Sequence, residues 1–170
     1  MTRRGERVAL RPLVVGDLGA VYDVLREPEV ARWWGAFDEK GIREELLETA
    51  ETTAFAIEVE GTFVGVVMCS EECEPDYRHA GIDIFLATAH QDRGYGSEAI
   101  RVLARHLFAE RGHHRLTIDP AAANTRAIRA YERVGFRPVG VMREYERGAD
   151  GTWHDGLLMD LLAREFAPEN

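Results

Sequence analysis

The chain has few of the residues that build disulfide frameworks and metal sites. Among its 170 residues are only two cysteines, Cys69 and Cys73, and their spacing fits neither a set of disulfides nor a zinc knuckle. The six histidines show no metal-ligand spacing, so we expect no metal in the protein. Cys69 is better explained as a small core residue. These absences favour a reducing compartment, and we expect the protein to be cytoplasmic.

Long apolar runs are also missing. No segment reaches the roughly 20 consecutive apolar residues that a transmembrane helix needs. Residues 1–6 carry basic side chains without the apolar stretch of a signal peptide. Hydrophobic residues make up 45% of the chain and charged residues 30%, as in globular proteins that bury a core. We therefore expect residues 1–170 to form a single domain with no membrane partner.

An excess of positive charge is absent as well. Residues 1–76 contain 17 acidic and 8 basic side chains, a net charge of −9, whereas residues 77–170 contain 13 of each. Nucleic acids and anionic membranes attract basic surfaces, so neither is an expected partner. The acidic half would attract a cationic acceptor, although an acidic surface more often serves solubility.

Hydrophobic periodicity predicts helices and strands in alternation. The predicted strands span residues 8–13, 54–59, 62–68, 82–87, 115–119, 136–147 and 152–162. The predicted helices span residues 18–25, 40–50, 98–110 and 124–134, with a short helical turn over residues 28–35. In this arrangement the terminal strand leaves a sheet edge with which a partner can pair.

Turn and cap residues support these boundaries. Asp17 and Asn124 precede apolar helical faces and are expected to cap them, and Gly135 closes the second of these helices. Glu60 and Gly61 predict a two-residue hairpin loop. The acidic stretch over residues 71–76 is expected to be a loop.

The most informative turn is the glycine-rich stretch over residues 91–97, Gln-Asp-Arg-Gly-Tyr-Gly-Ser. It lies between a predicted strand and a predicted helix. There, glycines allow close approach of the backbone to a ligand, and the first N–H groups of the helix point at an anion. The stretch predicts a pyrophosphate cradle, with an ordinary tight turn as the alternative until its neighbours are considered.

Those neighbours add a second motif. Across residues 81–136 the order is strand, glycine turn, helix, strand, Asn-capped helix and Gly-Phe. Together with Gln91-x-x-Gly94-x-Gly96 and Asn124-x-x-Ala127-x-x-x-Tyr131-x-x-x-Gly135-Phe136, this order resembles the GCN5-related N-acetyltransferase (GNAT) superfamily. The resemblance implies an α/β (α+β) fold whose mixed, mostly antiparallel central sheet of six to seven strands is flanked by helices. It also implies acetyl-CoA as cosubstrate.

Within that superfamily the chain is most similar to the aminoglycoside 6'-N-acetyltransferases. The similarity rests on Trp33-Trp34-Gly35, Gly81-Ile82-Asp83 and Asp119-Pro120. It implies acetyl transfer to the 6'-amino group of an aminoglycoside, a small cationic amine, and antibiotic resistance. Acylation of a siderophore-precursor lysine or of a protein N-terminal amine remains an alternative, as does a non-catalytic acyl-CoA-binding domain. A monomer and a homodimer both fit.

The resemblance assigns one set of residues to the acyl donor. Main-chain amides of the glycine turn would hold the coenzyme A pyrophosphate, and Arg93 would add a charge. An N–H near Leu86 would stabilise the oxyanion. Asn124 would reach the pantetheine arm, and Tyr131 would protonate the departing thiolate, unless it is simply a core tyrosine. The full donor set is Phe85, Leu86, Arg93, Gly94, Tyr95, Gly96, Ser97, Asn124, Ala127 and Tyr131.

A second set is assigned to the acceptor: Trp33, Trp34, Asp83 and Asp119. Asp83 interrupts an apolar strand, where a carboxylate is costly unless paired. Alternation puts Asp83 on the same sheet face as Phe85. An ordinary aspartate has a pKa of about 3.9 and is a poor base unless desolvated. We therefore expect Asp83 chiefly to bind the ammonium and relay its proton, with Asp83 and Tyr131 as the catalytic pair. Of the two tryptophans, one is expected in the core and one, preferably Trp34, in the site.

Overall fold

The computed structural model describes residues 1–167. Its strands are β1 (Arg3–Arg4), β2 (Val8–Pro12), β3 (Thr52–Val59), β4 (Thr62–Glu72), β5 (His79–Leu86), β6 (Arg115–Ile118), β7 (Arg137–Arg147) and β8 (Trp153–Leu162). Its helices are α1 (Leu18–Leu25), α2 (Pro28–Trp34), α3 (Glu39–Leu46), α4 (Tyr95–Ala109) and α5 (Thr125–Val134). Within residues 1–167, every helix is too short or too polar to cross a membrane.

The eight strands form one sheet in the order β1-β2-β3-β4-β5-β6-β8-β7. All neighbours are antiparallel except β5 and β6, so the predicted mixed, mostly antiparallel sheet is confirmed. The strand beyond the predicted six to seven is β1, whose two residues are too short to leave a hydrophobic pattern. The last strand, β8, lies between β6 and β7, so the prediction that it forms an edge is wrong.

The parallel pair β5–β6 is short. Its register joins only Ala80 to Leu116 and Gly81 to Thr117. Strand β5 then continues for five residues to Leu86 while the two strands separate. Because parallel strands need a crossover, α4 leaves from the end of β5 and returns the chain to β6. The sheet therefore opens at the carboxyl ends of these two strands.

Two hydrophobic clusters cover the two faces of the sheet. One includes Ile82 of β5, Leu103 of α4 and Phe136. The other includes Val21 of α1 and Phe85 of β5. The alternation predicted for β5 is confirmed, because its even-numbered residues pack toward α4 and α5 while Phe85 packs toward α1, α2 and α3.

Asp17 occupies the N-cap position of α1, but the prediction that its side chain caps the helix is wrong. Its carboxylate accepts instead from both terminal nitrogens of Arg11, at 2.7 and 2.8 Å, and from the Val14 N–H at 2.9 Å. For a buried carboxylate, pairing with a cation is more stabilising than capping a helix N–H group. Asn124 does cap α5, since its Oδ1 accepts from the Ala127 N–H at 3.2 Å.

The prediction of a loop over residues 71–76 is wrong at its start. Glu71 and Glu72 extend β4, which pairs with β5 as far as His79. The Glu71 carboxylate is held by Arg111 and by the buried ring of His113, whose Nε2 lies 2.6 Å from Oε2. These partners lie about 40 residues away, so an acidic stretch that looks solvated in the sequence is anchored in the fold.

The close approach of β4 to β5 gives a stability prediction at Gly65. A Cβ built there would lie 2.2 Å from the carbonyl oxygen of Phe85. Gly65→Ala must therefore displace the strand that carries Asp83, and we expect a loss of about 1–3 kcal/mol in the free energy of unfolding, measured by urea denaturation. The control is Gly19→Ala in α1, where a Cβ meets nothing within 4 Å and alanine favours the helix. Equal stability of Gly65→Ala and the parent protein would contradict this account.

Candidate active site

A cleft of about 710 Å³ occupies the opening between β5 and β6. Its walls come from α2, β5, the glycine turn, the start of α4, the segment after β6, α5 and one residue of β7. Most of the residues predicted for the site line it: Trp33, Trp34, Asp83, Phe85, Leu86, Gly94, Gly96, Ser97, Asp119, Asn124, Ala127 and Tyr131. Residues that are far apart in the sequence thus share one cavity.

Arg93 and Tyr95 are the two predicted residues that do not line the cleft. The Tyr95 ring lies under the Arg7 guanidinium, whose central carbon is 5.1 Å from the ring centroid. Arg7 also donates to the main-chain carbonyl of Arg93 at 3.1 Å and to the Glu98 carboxylate at 3.0 Å. Arg7 therefore fastens the outside of the glycine turn and holds the Tyr95 ring outside the cleft.

The glycine turn places the first backbone N–H groups of α4 beside the cleft. Gly94 has a φ of 82°, the left-handed conformation that favours glycine. A Cβ on Gly96 would lie 3.3 Å from a methyl group of Leu86, so a larger residue would push α4 from β5. The N–H groups of residues 95–97 have no acceptor within the helix, because the first such bond runs from the Glu98 N–H to the Gly94 carbonyl at 3.0 Å. This end of the cleft suits an anion.

Basic side chains that were not predicted for the site lie at the same end. Arg126 and Arg133 of α5 line the cleft. Arg126 donates to Gln91, and the Gln91 amide donates to the Leu86 carbonyl at 2.9 Å. Gln91 lies in the glycine-turn motif and Arg126 in the Asn124 motif. The sequence shows each motif separately, so it does not show that these two side chains are in contact.

The other end of the cleft is acidic. Asp83 and Asp119 lie there with Glu146 of β7, and Glu29 of α2 lines the same cleft; neither glutamate was predicted. The Asp83 side chain is exposed to the cleft. The protein that surrounds it elsewhere, and then the charges of Asp119, Glu45 and Glu146, raise the pKa of Asp83 to about 6. The shift is in the direction that a carboxylate base requires.

Tyr131 serves both the core and the cleft. Its ring is buried in the cluster that includes Phe136, and it also lines the cavity. Burial, and next the charge of Asp83, raise the pKa of Tyr131 well above its ordinary value, while Arg126 acts in the opposite direction. The phenol therefore remains protonated at neutral pH and is able to donate.

Both tryptophans of α2 line the cleft, so the expectation that one of them lies in the core is wrong. Trp34 packs edge-on against Phe85, with ring centroids 5.1 Å apart. It is partly buried against the hydrophobic cluster that includes Val21 and Phe85. Trp33 lies under the Arg32 guanidinium. Because α2 ends at Trp34, at the rim of the cavity, consecutive residues reach the same space.

Residues 7–137 match the family model described as an acetyltransferase (GNAT) domain. An aminoglycoside N(6')-acetyltransferase type 1 from Klebsiella pneumoniae is 28% identical over 162 residues, covering 84% of this chain and 80% of that protein. The crystal structure of a GNAT-family acetyltransferase from Bacillus anthracis superposes with a TM-score of 0.83 at 22% identity, covering 97% of this chain and 100% of that one. The structure of AAC(6')-Ib in complex with paromomycin and acetyl-CoA superposes with a TM-score of 0.78 at 25% identity, covering 94% and 96%.

The raised pKa of Asp83 gives a prediction that needs no substrate. The folded value of about 6 lies above the unfolded value of about 3.9, so the folded protein loses stability as the pH rises from 4 through 6. Asp83→Asn removes this cost, and we expect its melting temperature at pH 7.5 to exceed that of the parent by about 2–4 °C. The expected difference in melting temperature is this small because the Asp83 carboxylate is in contact with solvent, which screens its charge.

The difference should vanish near pH 4, where both proteins carry a neutral side chain at this position. Asp23→Asn, on the exposed surface of α1, is the matched control and should show no such pH dependence. An Asp83→Asn protein that melts below the parent at pH 7.5 would show that the carboxylate is not held at a cost.

Proposed function

Because the chain belongs to the GNAT acetyltransferase family, we propose that it transfers the acetyl group of acetyl-CoA to the 6'-amino group of an aminoglycoside and so confers resistance. The coarser part is established: the protein is an acetyl-CoA-dependent N-acetyltransferase. The observation that carries the finer part is the division of charge within one cleft. One end offers helix N–H groups and arginines, and the other offers carboxylates beside two tryptophans.

The basic end suits the acyl donor. Coenzyme A carries a pyrophosphate, which the free N–H groups at the start of α4 would hold, with Arg126 and Arg133 beside it. Asn124 uses its Oδ1 to cap α5, which leaves its amide N–H groups to face the pantetheine arm. The thioester carbonyl would then lie beside β5, where an N–H near Leu86 would donate a hydrogen bond to the developing oxyanion.

The acidic end suits a polycationic acceptor. An aminosugar ammonium entering there would meet Asp83 and Asp119, with the apolar face of the sugar against Trp33 or Trp34. A carboxylate with a pKa of about 6 is ionised at pH 7.5 and takes the ammonium proton more readily than an ordinary aspartate. The free amine then attacks the thioester carbon to form a tetrahedral intermediate.

Collapse of that intermediate breaks the carbon–sulfur bond, and the electron pair goes to sulfur. Tyr131 donates its hydroxyl proton to the departing thiolate, and the proton released by the new amide nitrogen restores the phenol. A cysteine acyl-enzyme is not supported, because neither Cys69 nor Cys73 lines the cleft, and burial in the core raises the pKa of Cys69 to about 11. Direct transfer is the chemistry that these residues fit.

The choice of acceptor is tested by a coenzyme A release assay with paired substrates. Neomycin and paromomycin differ in carrying an amine or a hydroxyl at the 6' position, so we expect turnover of the first and little or none of the second. Peptides with a free N-terminus and lysine derivatives form the opposing arm. Peptide turnover without aminoglycoside turnover would replace the proposed acceptor, and acetyl-CoA binding by calorimetry without turnover of any amine would indicate a non-catalytic domain.

The role of Tyr131 is tested by Tyr131→Phe. Loss of the proton donor should lower kcat about 100-fold, while the retained ring keeps the KM for acetyl-CoA within about twofold. Tyr95→Phe is the control, since that ring packs outside the cleft under Arg7 and should leave kcat unchanged. An unchanged kcat in Tyr131→Phe would assign the proton to another donor, such as water.

A further inference from the structure

Strands β7 and β8 lose their register beside the acidic end of the cleft. Met142 faces Gly156 and Glu146 faces His154, so residues 143–145 of β7 together oppose Asp155. Glu144 has a φ of 51°, a left-handed conformation that is uncommon for a residue with a side chain. The Asp155 carboxylate accepts from the Glu144 N–H at 2.8 Å and holds this bulge in place. Bulges of this kind re-aim side chains near functional sites.

The bulge turns the ring of Tyr145 onto β8. A Cβ built on Gly156 would lie 2.9 Å from Cδ1 of Tyr145, so the absence of a side chain at residue 156 is what makes room for the ring. Tyr145 is 49% exposed, which leaves much of the ring uncovered. The Tyr145 ring therefore has a fixed position on β8 although it is not part of the core.

The same residues of β8 anchor the segment that carries Asp119. The Asp155 carbonyl accepts from the Ala122 N–H at 2.8 Å, and the Leu157 N–H donates to the Pro120 carbonyl at 2.9 Å. Gly156 itself bridges to Ala121. The backbone of residues 155–157 thus sets the position of Tyr145 and of Asp119 together.

The Tyr145 ring and the segment that carries Asp119 pack on the same three residues of β8, which brings the two side chains near each other. A hydrogen bond to Asp119, followed by burial and the charges of Asp119, Asp83 and Glu146, raises the pKa of Tyr145 to about 12. The phenol is therefore a donor at any working pH. Asp119 shares the cleft with Asp83, so a phenol that donates to Asp119 acts within the acceptor end of the cleft.

We propose that Tyr145 is a positioning residue of the acceptor site, which donates its hydroxyl hydrogen to Asp119 and holds that carboxylate ready for a substrate ammonium. The two cleft carboxylates then have different roles: Asp119 binds the substrate ammonium, and Asp83 takes up the proton. This inference rests on the proposed function in one respect, namely that a cation enters the acidic end of the cleft.

The first experiment compares Tyr145→Phe with the parent enzyme on the aminoglycoside that it acetylates. Loss of a hydrogen bond to a charged group should raise the KM for the acceptor about tenfold. The values of kcat and of the KM for acetyl-CoA should stay within about twofold, because the ring and the donor site remain. Tyr77→Phe is the matched control, since that tyrosine is 74% exposed and lies outside the cleft.

A double-mutant cycle with Asp119→Ala tests whether Tyr145 acts through Asp119. Residues that work as one unit give non-additive effects, so the double variant should show no higher acceptor KM than Asp119→Ala alone. Two independent, multiplying effects would mean that the tyrosine contacts the substrate by itself. An unchanged KM in Tyr145→Phe beside a raised KM in Asp119→Ala would overturn the inference while leaving the proposed function intact.

A measurement without substrate separates this inference from the proposed function. The chain has five tyrosines, and tyrosinate absorbance counts those that ionise below pH 11. Asp119→Ala should show one more ionising tyrosine than the parent, and the Asp119→Ala, Tyr145→Phe double variant should lose it again. Equal counts in all three proteins overturn the inference, whether or not any amine proves to be a substrate.

Discussion

The separation of β5 from β6 is the constraint on which the rest of the structure depends. Two parallel pairs, at Ala80 and Gly81, hold the strands together, and beyond them the β6 side of β5 has no strand to bond with. Buried backbone groups left open in this way need other partners. Gln91 supplies one by donating to the Leu86 carbonyl. The remaining polar edge faces a cavity, which is where the pantetheine arm of acetyl-CoA, with its amide donors and acceptors, would bind beside a strand.

Opposite charges at the two ends of that cavity follow from different parts of the chain. The donor end is built by consecutive residues around the start of α4, where the helix terminus supplies positive character, with Arg126 and Arg133 of α5 beside it. The acceptor end brings carboxylates close together, and desolvation followed by their mutual repulsion raises the pKa of Asp83. A protein selected for stability alone would not keep that arrangement, which is the usual relation between an active site and the fold that carries it.

Structural features that depend on residues close together in the sequence could be predicted. The glycine turn, the Asn124 cap and the inward alternation of β5 depend on contacts within about a turn or a strand, and all are present. Glu146 and Tyr145 could not be predicted, because they reach the site through a bulge whose left-handed residue is a glutamate rather than a glycine. The same holds for Arg7, which fastens Tyr95 from 88 positions away, and for Glu71, whose partners follow α4. Local sequence patterns do not predict such tertiary contacts.

This division between local and distant residues bears on how the protein chooses its acceptor. In the proposed function the donor is bound chiefly by the glycine turn and the start of α4, with Asn124 and the arginines of α5 beside them. The acceptor would be bound by α2, β5, the segment after β6 and the bulge of β7, which meet only in the folded protein. Residues 155–157 hold the last two of these together, so a change there would alter both. Membership in the family therefore identifies the acyl donor, whereas the choice of amine depends on side chains such as Asp83 and Asp119 that only the folded chain brings together.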